Sequence, residues 1–260
     1  MTNIQTYTQQ NRRAWNEIAA VRFQNKGWPD AAFYAEGGSL LASSVLAAAG
    51  DMHGQTVLHL QCATGEETLS WAVAGAQATG VDISDRQIEL AAQQAAAARL
   101  AVRFVAADVY DLPTELQQAT FDLVYTGGGV LCWLPDIGRW AQIVAAALHL
   151  GGRFILHEEH PLAQCLGMHE GRLDIVSDYF GRNAPEWGGG WSHFTGGENA
   201  IETKAEFAWP LGDVITALAQ AGLRIESLQE FPSDAEWRFG AALDAVRRLP
   251  GGILLVASKS

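Results

Sequence analysis

The sequence is poor in basic residues, and above all in lysine, which occurs only as Lys26, Lys204 and Lys259. Its 17 Lys and Arg residues face 29 Asp and Glu residues, which gives a formal net charge of −12 at pH 7. Long-range repulsion from this charge disfavours polyanionic partners. We therefore expect neither nucleic acid nor a membrane surface among the partners of this protein.

Cysteine is also scarce, and Cys62, Cys132 and Cys165 form no Cys-x-x-Cys pair. Their spacing lacks the pattern of a zinc site or a disulfide framework, so we expect buried thiols, no bound metal and a cytoplasmic location. No apolar run approaches the roughly 18–20 residues that cross a bilayer. The polar start MTNIQTYTQQNRRAWNE also lacks the apolar stretch of a secretory leader. The chain is predicted to be soluble.

Short apolar segments alternate with amphipathic segments from residue 56 onward. The patterns predict strands at 56–60, 78–83, 101–108, 121–126, 153–159, 224–231 and 252–259. They predict helices at 6–22, 39–49, 66–76, 85–99, 137–149 and 211–221, and a loop at 23–38. Such alternation with short connections is typical of a parallel sheet covered by helices on both faces. The last two strands are expected to form an antiparallel pair at one edge.

The ends of the predicted strands carry the residues that point to a ligand. The loop VLHLQCATGEETLSWA (57–72) leads from a strand into a helix, as in nucleotide-binding turns, but it has Gln61 and Ala63 where two of the usual three glycines would stand. Only Gly65 remains. Asp82 and Asp108 end the next two strands, and a glycine cluster follows the fourth. Open α/β sheets bind ligands at this edge, although either acid alone could be a helix cap.

These segments together resemble the class I S-adenosyl-L-methionine (SAM) dependent methyltransferases. The resemblance is carried by VLHLQCATGEETLSWA, TGVDISDRQIELA, RFVAADVYDLP, FDLVYTGGGVLCWLPDIGRWAQIVAAALHLGGRFILHEEHP and AGLRIESLQEF. The His-Leu-Gln-Cys loop is similar to that of a bacterial branch of small-molecule methyltransferases. The resemblance implies an α/β, Rossmann-like sheet of seven mostly parallel strands with an antiparallel final strand, helices on both faces, and S-adenosyl-L-homocysteine as the product.

The resemblance also implies a division of the chain. Residues 1–50 would form an N-terminal helical lid and residues 51–160 the SAM-binding core. Residues 161–210 would be an insertion after the fifth strand that caps the acceptor site. Residues 211–260 would supply the last helix and the closing strand pair.

The cofactor contacts implied by the family fall on the strand ends. Ala63, Thr64 and Gly65 would offer backbone groups to the methionine part, Asp82 would hold the ribose, and Asp108 the adenine amino group. The full implied set is His59, Gln61, Cys62, Ala63, Thr64, Gly65, Asp82, Ile83, Asp108, Val109, Thr126 and Gly127. His59 stands where the family commonly has an acid. Because SAM has no pyrophosphate, the missing glycines argue against a dinucleotide more strongly than against SAM.

Acceptor residues are expected in the lid, after the fourth strand and in the insertion. The candidates are Trp15, Trp28, Trp133 and Trp191, since aromatic walls suit planar or cationic small molecules. Each could instead belong to the core of the cap. For a general base, His160 ranks first, His193 second, and Glu158 or Glu159 third. His160 could equally be an ordinary loop residue beside Pro161.

Three functions remain open from the sequence. The leading hypothesis is an enzyme that transfers a methyl group from SAM to oxygen or nitrogen of a small molecule by direct displacement. A protein that binds SAM without catalysis is the main alternative, and an NAD(P)-dependent oxidoreductase is the weaker one. The sequence leaves both a monomer and a homodimer open.

Overall fold

A seven-stranded sheet forms the centre of the computed structural model, which describes residues 3–25, 27, 29–118, 120–181, 185–191 and 194–260. The strands of this sheet are β1 (Thr56–Leu60), β2 (Gln77–Asp82), β3 (Arg103–Ala106), β4 (Phe121–Gly127), β5 (Leu148–Glu159), β10 (Leu223–Pro232) and β11 (Pro250–Lys259). Their order is β3-β2-β1-β4-β5-β11-β10, and β11 runs antiparallel to both of its neighbours. The predicted mostly parallel sheet with a reversed final strand is confirmed.

Ten α-helices are formed by the described residues. They are α1 (Asn3–Asn25), α2 (Ala31–Ala35), α3 (Ser43–Ala49), α4 (Glu66–Val73), α5 (Asp85–Ala98), α6 (Ile137–Ala147), α7 (Pro161–Gln164), α8 (Leu211–Gln220), α9 (Glu236–Phe239) and α10 (Leu243–Val246). None of them is long and apolar enough to span a bilayer.

Side chains of the strands contribute alternately to two hydrophobic cores, because successive residues of a strand point to opposite faces of the sheet. Leu58 and Val124 pack with α6 and α8 on one face. Val57 and Leu123 pack with α3 and with Trp71 of α4 on the other. Helices therefore cover both faces, as the near-continuous apolar strands require.

The predicted loop at 23–38 is wrong over one short stretch, where α2 forms. Asp30 caps this helix, and its carboxylate accepts hydrogen bonds from the backbone of Ala32 and Phe33. A single turn of helix has no periodicity to detect, and only its cap is visible in the sequence. The other predicted elements are present, with ends that differ by a few residues.

The segment after β5 forms two small sheets. One pairs β6 (Leu166–His169) with β7 (Arg172–Ile175), and the other pairs β8 (Glu186–Gly189) with β9 (Thr203–Glu206).

Helix α1 is fastened to both parts of the molecule. Asn16 accepts a hydrogen bond from Ser84 Oγ at 2.7 Å, at the start of α5. The amide of Asn11 exchanges two hydrogen bonds with the backbone of Ala205 in β9, at 2.8 and 2.9 Å. The helix thereby lies across the carboxyl end of the sheet and joins it to the segment that follows β5.

Candidate active site

A cavity lies where β1, β2, β3 and β4 end, beneath α1. It will be called the first cavity. Its walls come from the first loop, the ends of three further strands and one face of α1; they are Thr8, Asn11, Trp15, Arg22, Gln61, Ala63, Val81, Asp82, Ile83, Gln87, Ala107, Asp108, Val109, Tyr110, Gly128, Gly129, Val130, Trp133 and Leu134. This is the edge at which open parallel sheets bind ligands.

The first loop keeps a glycine-type backbone although two glycines are missing. Gln61 and Ala63 have φ angles of 57° and 49°, and Gly65 has one of 82°. At Gly65 a side chain is excluded as well, because a Cβ would lie 2.7 Å from Phe104 and 2.9 Å from Ala91. Residues 61, 63 and 65 therefore have the left-handed backbone that glycine favours, and Gln61 and Ala63 line the cavity.

Asp82 is buried at the centre of the first cavity. One oxygen accepts the backbone N–H of Ala63 and the other accepts that of Ser84, each at 2.9 Å. Burial raises the pKa of this carboxyl, while both N–H groups and the charge of Arg22 act in the opposite direction. Asp82 thus braces the first loop and still lines the cavity.

Among the described residues that line the first cavity, Arg22 is the only one with a basic side chain. Its guanidinium lies over the rings of Trp15 and Phe194, 5.9 and 5.4 Å from their centroids. Burial lowers its pKa to about 10, and Asp82 opposes the shift. At neutral pH the side chain remains a cation, so it offers the cavity a positive charge for an anionic group such as a carboxylate.

The turn after β4 is held by a buried carboxylate. Glu158 on β5 accepts hydrogen bonds from the backbone of Gly129, Val130 and Leu131 at 2.7, 2.6 and 3.3 Å. It also accepts the N–H of Glu159 at 2.7 Å. Glu158 therefore fixes the position of the glycine turn that lines the cavity, and it does not line the cavity itself.

Within the part of the chain that the structure describes, three buried side-chain oxygens of the cavity wall have no hydrogen-bond partner. They are Thr8 Oγ1, Gln61 Oε1 and Gln87 Oε1. Buried polar atoms are costly when unpaired, so these atoms indicate a ligand with several hydrogen-bond donors. SAM has an ammonium group, two ribose hydroxyls and an adenine amino group, and its carboxylate would suit Arg22. The acceptor oxygens of this wall, together with the guanidinium of Arg22, fit that cofactor.

The first cavity measures about 100 Å³, which is less than the roughly 300–1,000 Å³ typical of ligand pockets. Side chains of α1, including Trp15 and Arg22, form its outer wall.

Half of the predicted cofactor residues line the cavity, namely Gln61, Ala63, Asp82, Ile83, Asp108 and Val109. The other half lie behind it. Thr64 donates to Glu66 at 2.7 Å and Thr126 to the carbonyl of Leu60 at 3.0 Å. Cys62 is buried, and Gly65 and Gly127 shape the backbone of their turns. Where Gly127 was expected, the next two glycines, Gly128 and Gly129, face the cavity.

His59 belongs to the core beneath the first loop. Its Nδ1 lies 2.8 Å from Thr68 Oγ1, and its ring packs 4.9 Å from that of Tyr125. Burial lowers the pKa of His59 to about 3, so the imidazole is neutral.

His160 serves as a helix cap in this structure. Its Nδ1 accepts the backbone N–H of Leu162 at 3.0 Å, and its Nε2 lies 3.1 Å from a carboxylate oxygen of Glu230. It does not line the first cavity. The second candidate base, His193, lies outside the described residues.

Of the predicted acceptor residues, Trp15 and Trp133 line the first cavity and pack edge to face with centroids 5.1 Å apart. Trp191 is fully buried behind them, 4.4 Å from Trp15. Trp28 is not among the described residues.

Sequence reasoning missed Thr8, Asn11, Arg22 and Gln87. The first three share a face of α1 with Trp15, because positions 8, 11, 15 and 22 are separated by 3, 4 and 7 residues. The sequence shows this polar stripe at helical spacing, but the apolar spacing of the same helix does not reveal it.

Comparison with known proteins agrees with this geometry. Residues 57–152 match the family model described as a methyltransferase domain. A ubiquinone biosynthesis O-methyltransferase of Bordetella bronchiseptica is 34% identical over 104 residues, which are 40% of this chain and 42% of that protein. The match therefore spans less than half of the curated relative.

Solved structures match over most of the chain. A SAM-dependent methyltransferase from Mesorhizobium loti is 25% identical with a TM-score of 0.62, and the match covers 83% of this chain and 96% of that one. The [4+2]-cyclase SpnF is 16% identical with a TM-score of 0.61, covering 97% and 96%, and it shows the fold alone. The family model, the sheet order and the wall of the first cavity agree: residues 57–152 match a methyltransferase domain, and the chain has the fold of the class I SAM-dependent methyltransferases, whose cofactor is SAM.

Proposed function

We propose that the protein is an enzyme that transfers a methyl group from SAM to oxygen or nitrogen of a small molecule. The observation that carries this proposal is the first cavity, where unpartnered acceptors and the guanidinium of Arg22 surround Asp82. The O-methyltransferase relative favours oxygen as the methylated atom. The limits of lid, core, cap and closing strands drawn from the sequence form part of the same proposal.

Five residues of the cavity wall bind the cofactor in this scheme. Asp82 accepts from the ribose hydroxyls, and Asp108 from the adenine amino group. Arg22 pairs with the carboxylate, while Gln61 and Gln87 accept from the remaining donors. Cys62, Thr64, Thr126 and Gly127 act from behind the cavity by holding the two loops in place.

When bound, SAM supplies an electrophilic methyl group on its sulfonium. The protein then has to position the acceptor and exclude water, and positioning alone can contribute on the order of 7–11 kcal/mol in favourable cases. Trp15 and Trp133 close the outer side of the cavity against solvent. A base is needed only for an acceptor that must lose a proton, and His160 and His193 stay candidates for that role.

The test is a calorimetric titration of the protein with SAM, S-adenosyl-L-homocysteine and NAD, repeated for Asp82→Asn. The loss of one hydrogen bond to a charged group is worth about 1.5–3 kcal/mol, which predicts roughly 10- to 150-fold weaker binding of both sulfur ligands. Asp111→Asn, an exposed acid outside the cavity, is the matched control. Circular dichroism would show that both variants are folded.

Binding of NAD in place of the sulfur ligands would contradict the proposal and favour the oxidoreductase. Binding of S-adenosyl-L-homocysteine with no methylated product from any of a panel of phenols, carboxylic acids and amines would favour the non-catalytic alternative.

A further inference from the structure

A second cavity of about 300 Å³ lies beside the first one, at the ends of β4 and β5. The two are separated by a short 3₁₀ turn, Leu131–Trp133, here called the dividing turn. Trp133 lines the first cavity, and its neighbour Cys132 lines the second. A molecule in the second cavity would thus lie one turn of chain away from the cofactor site.

The walls of the second cavity are aromatic on one side. Tyr179, Phe207 and Trp209 contribute rings there. The backbone holds this side in place, since Phe207 donates its N–H to the carbonyl of Cys132 at 2.8 Å and Trp209 donates its indole N–H to the carbonyl of Leu134 at 2.7 Å. Phe207 and Trp209 are thereby fixed to residues 132–134, while the hydroxyl of Tyr179 accepts the backbone N–H of Leu211 at 3.1 Å, so the three residues offer a fixed surface to a planar ligand.

The charged residues of the second cavity are mostly acidic. Glu159, Glu186 and Glu206 line it, against the single guanidinium of Arg238 among the described wall residues. That guanidinium is already engaged, because its Nη1 lies 2.5 Å from Glu159. Lys204 lies 3.2 Å from Glu206, but its ammonium sits 4.5 Å from the ring centroid of Trp191 and does not line the cavity.

Two of these carboxylates face each other across a strand pair. Glu186 of β8 and Glu206 of β9 are direct partners in the antiparallel register. Like charges at directly opposite positions destabilise a strand pair. Lys204 offsets part of this repulsion through Glu206, and a second cation beside Glu186 would offset the rest.

Two thiols on different parts of the wall indicate the same negative field. Burial raises the pKa of Cys132, and Glu206 raises it further. The pKa of Cys165 is raised by burial and also by Asp178 and Glu186. The acids are opposed at each thiol by a cation, since Lys204 lowers the pKa of Cys132 and Arg238 lowers that of Cys165.

We propose that the second cavity binds the methyl acceptor, and that this acceptor is an aromatic molecule with a positively charged amine. The ring lies against Tyr179, Phe207 and Trp209, and the ammonium is held by Glu186 and Glu206. This inference rests on the proposed methyltransferase function. The ammonium serves for recognition, since a protonated amine has no lone pair to attack a methyl group. Another atom of the acceptor, after losing its proton to water, forms the new bond to the methyl carbon as the methyl–sulfur bond of SAM breaks and S-adenosyl-L-homocysteine leaves.

The experiment uses three catechols that differ in charge, namely dopamine (cation), 4-methylcatechol (neutral) and 3,4-dihydroxyphenylacetate (anion). Each is titrated into the full-length protein saturated with S-adenosyl-L-homocysteine. We expect dopamine to bind at least tenfold more tightly than the anion. In the Glu186→Gln/Glu206→Gln double variant, dopamine binding should fall about tenfold, while binding of 4-methylcatechol should not change. Glu198→Gln, an exposed acid of the same segment, is the control.

Equal binding of the cation and the anion would overturn the inference, as would unchanged dopamine binding in the double variant. The titration of S-adenosyl-L-homocysteine separates this failure from failure of the proposed function. If that ligand binds and the catechols show no charge preference, only the inference on the acceptor is wrong. If that ligand does not bind, the methyltransferase proposal itself is wrong, and the acceptor role of the second cavity falls with it.

Discussion

Replacement of Glu158 by glutamine tests how the glycine turn is held. The carboxylate accepts four backbone N–H groups, two at each oxygen. Glutamine keeps one acceptor oxygen and presents an NH₂ group to the other two donors. A buried donor left unpaired costs about 1–3 kcal/mol. With two such donors, one of them at the long distance of 3.3 Å, we expect Glu158→Gln to lower the free energy of unfolding by about 3 kcal/mol.

The same change should weaken the binding of S-adenosyl-L-homocysteine at least tenfold, because Gly128 and Gly129 line the first cavity. Urea unfolding and calorimetric titration measure the two effects. Glu89→Gln, which removes only an exposed pair with Arg86, should change neither by a measurable amount.

The pH dependence gives a second readout for Glu158. Burial raises its pKa to about 7, against the effect of the backbone N–H groups that donate to it. The ionised form accepts at both oxygens, whereas the protonated form carries an O–H that cannot accept an amide. Affinity for S-adenosyl-L-homocysteine should therefore rise as pH increases through about 7. Because the folded-state pKa of Glu158 lies above the ordinary value, the contribution of its titration to stability is complete below the unfolded-state pKa. It is lost as pH rises through about 7.

In Glu158→Gln the rise in affinity around pH 7 should be absent. If Glu158→Gln binds S-adenosyl-L-homocysteine within twofold of the parent protein and its free energy of unfolding lies within 1 kcal/mol of the parent value, Glu158 does not hold the glycine turn in place.

Three further predictions concern stability in urea. Gly65→Ala should cost clearly more than Gly128→Ala, because both have positive φ angles but only at Gly65 would the new Cβ meet neighbours under 3 Å; equal losses would contradict this. The hydrogen bond to Asp122 raises the pKa of His149. The stability that this pair contributes is therefore complete below the unfolded-state pKa of His149 and disappears as pH rises through its folded-state pKa. His149→Gln should lower the free energy of unfolding by up to about 1 kcal/mol at pH 5.5 and leave it unchanged at pH 8.5. Arg153→Met should cost about 1–2 kcal/mol, because the guanidinium donates to the last carbonyls of α3; an unchanged midpoint would show that water replaces it.

The fold was predictable because local and long-range signals agree. Val57 and Leu58 are apolar in sequence, and the sheet buries them on opposite faces in separate cores. A strand buried on both sides has to be apolar throughout, so its sequence already indicates a central parallel strand. The acids at strand ends were predictable for a similar reason, since parallel strands bring Asp82 and Asp108 to one edge.

The rest of the site depends on contacts between distant segments, which a sequence does not display. The sequence ranks Glu158 only third as a base, because its distance in sequence from Gly129 hides the three hydrogen bonds that it accepts from the glycine turn. His160 was ranked first from its place after β5, yet its side chain turns back to cap α7. In the same way, the crossing of α1 over the sheet decides that Arg22 faces the cavity. Each case depends on the direction of a side chain after folding, which composition and spacing do not encode.

The left-handed backbone at Gln61 and Ala63 has a consequence for the history and engineering of the chain. A residue with a Cβ in that conformation costs about 1–2 kcal/mol that glycine would not, so Gln61 and Ala63 make the loop harder to form than glycine would. Gln61 offsets part of the cost, because its amide donates to the carbonyl of Val130 at 3.1 Å and ties the first loop to the glycine turn. A designer who restores glycine at 61 to match the common loop would ease the backbone and cut this tie. With glutamine at position 61, the first loop is harder to form, but it is hydrogen-bonded to the glycine turn that lines the same cavity.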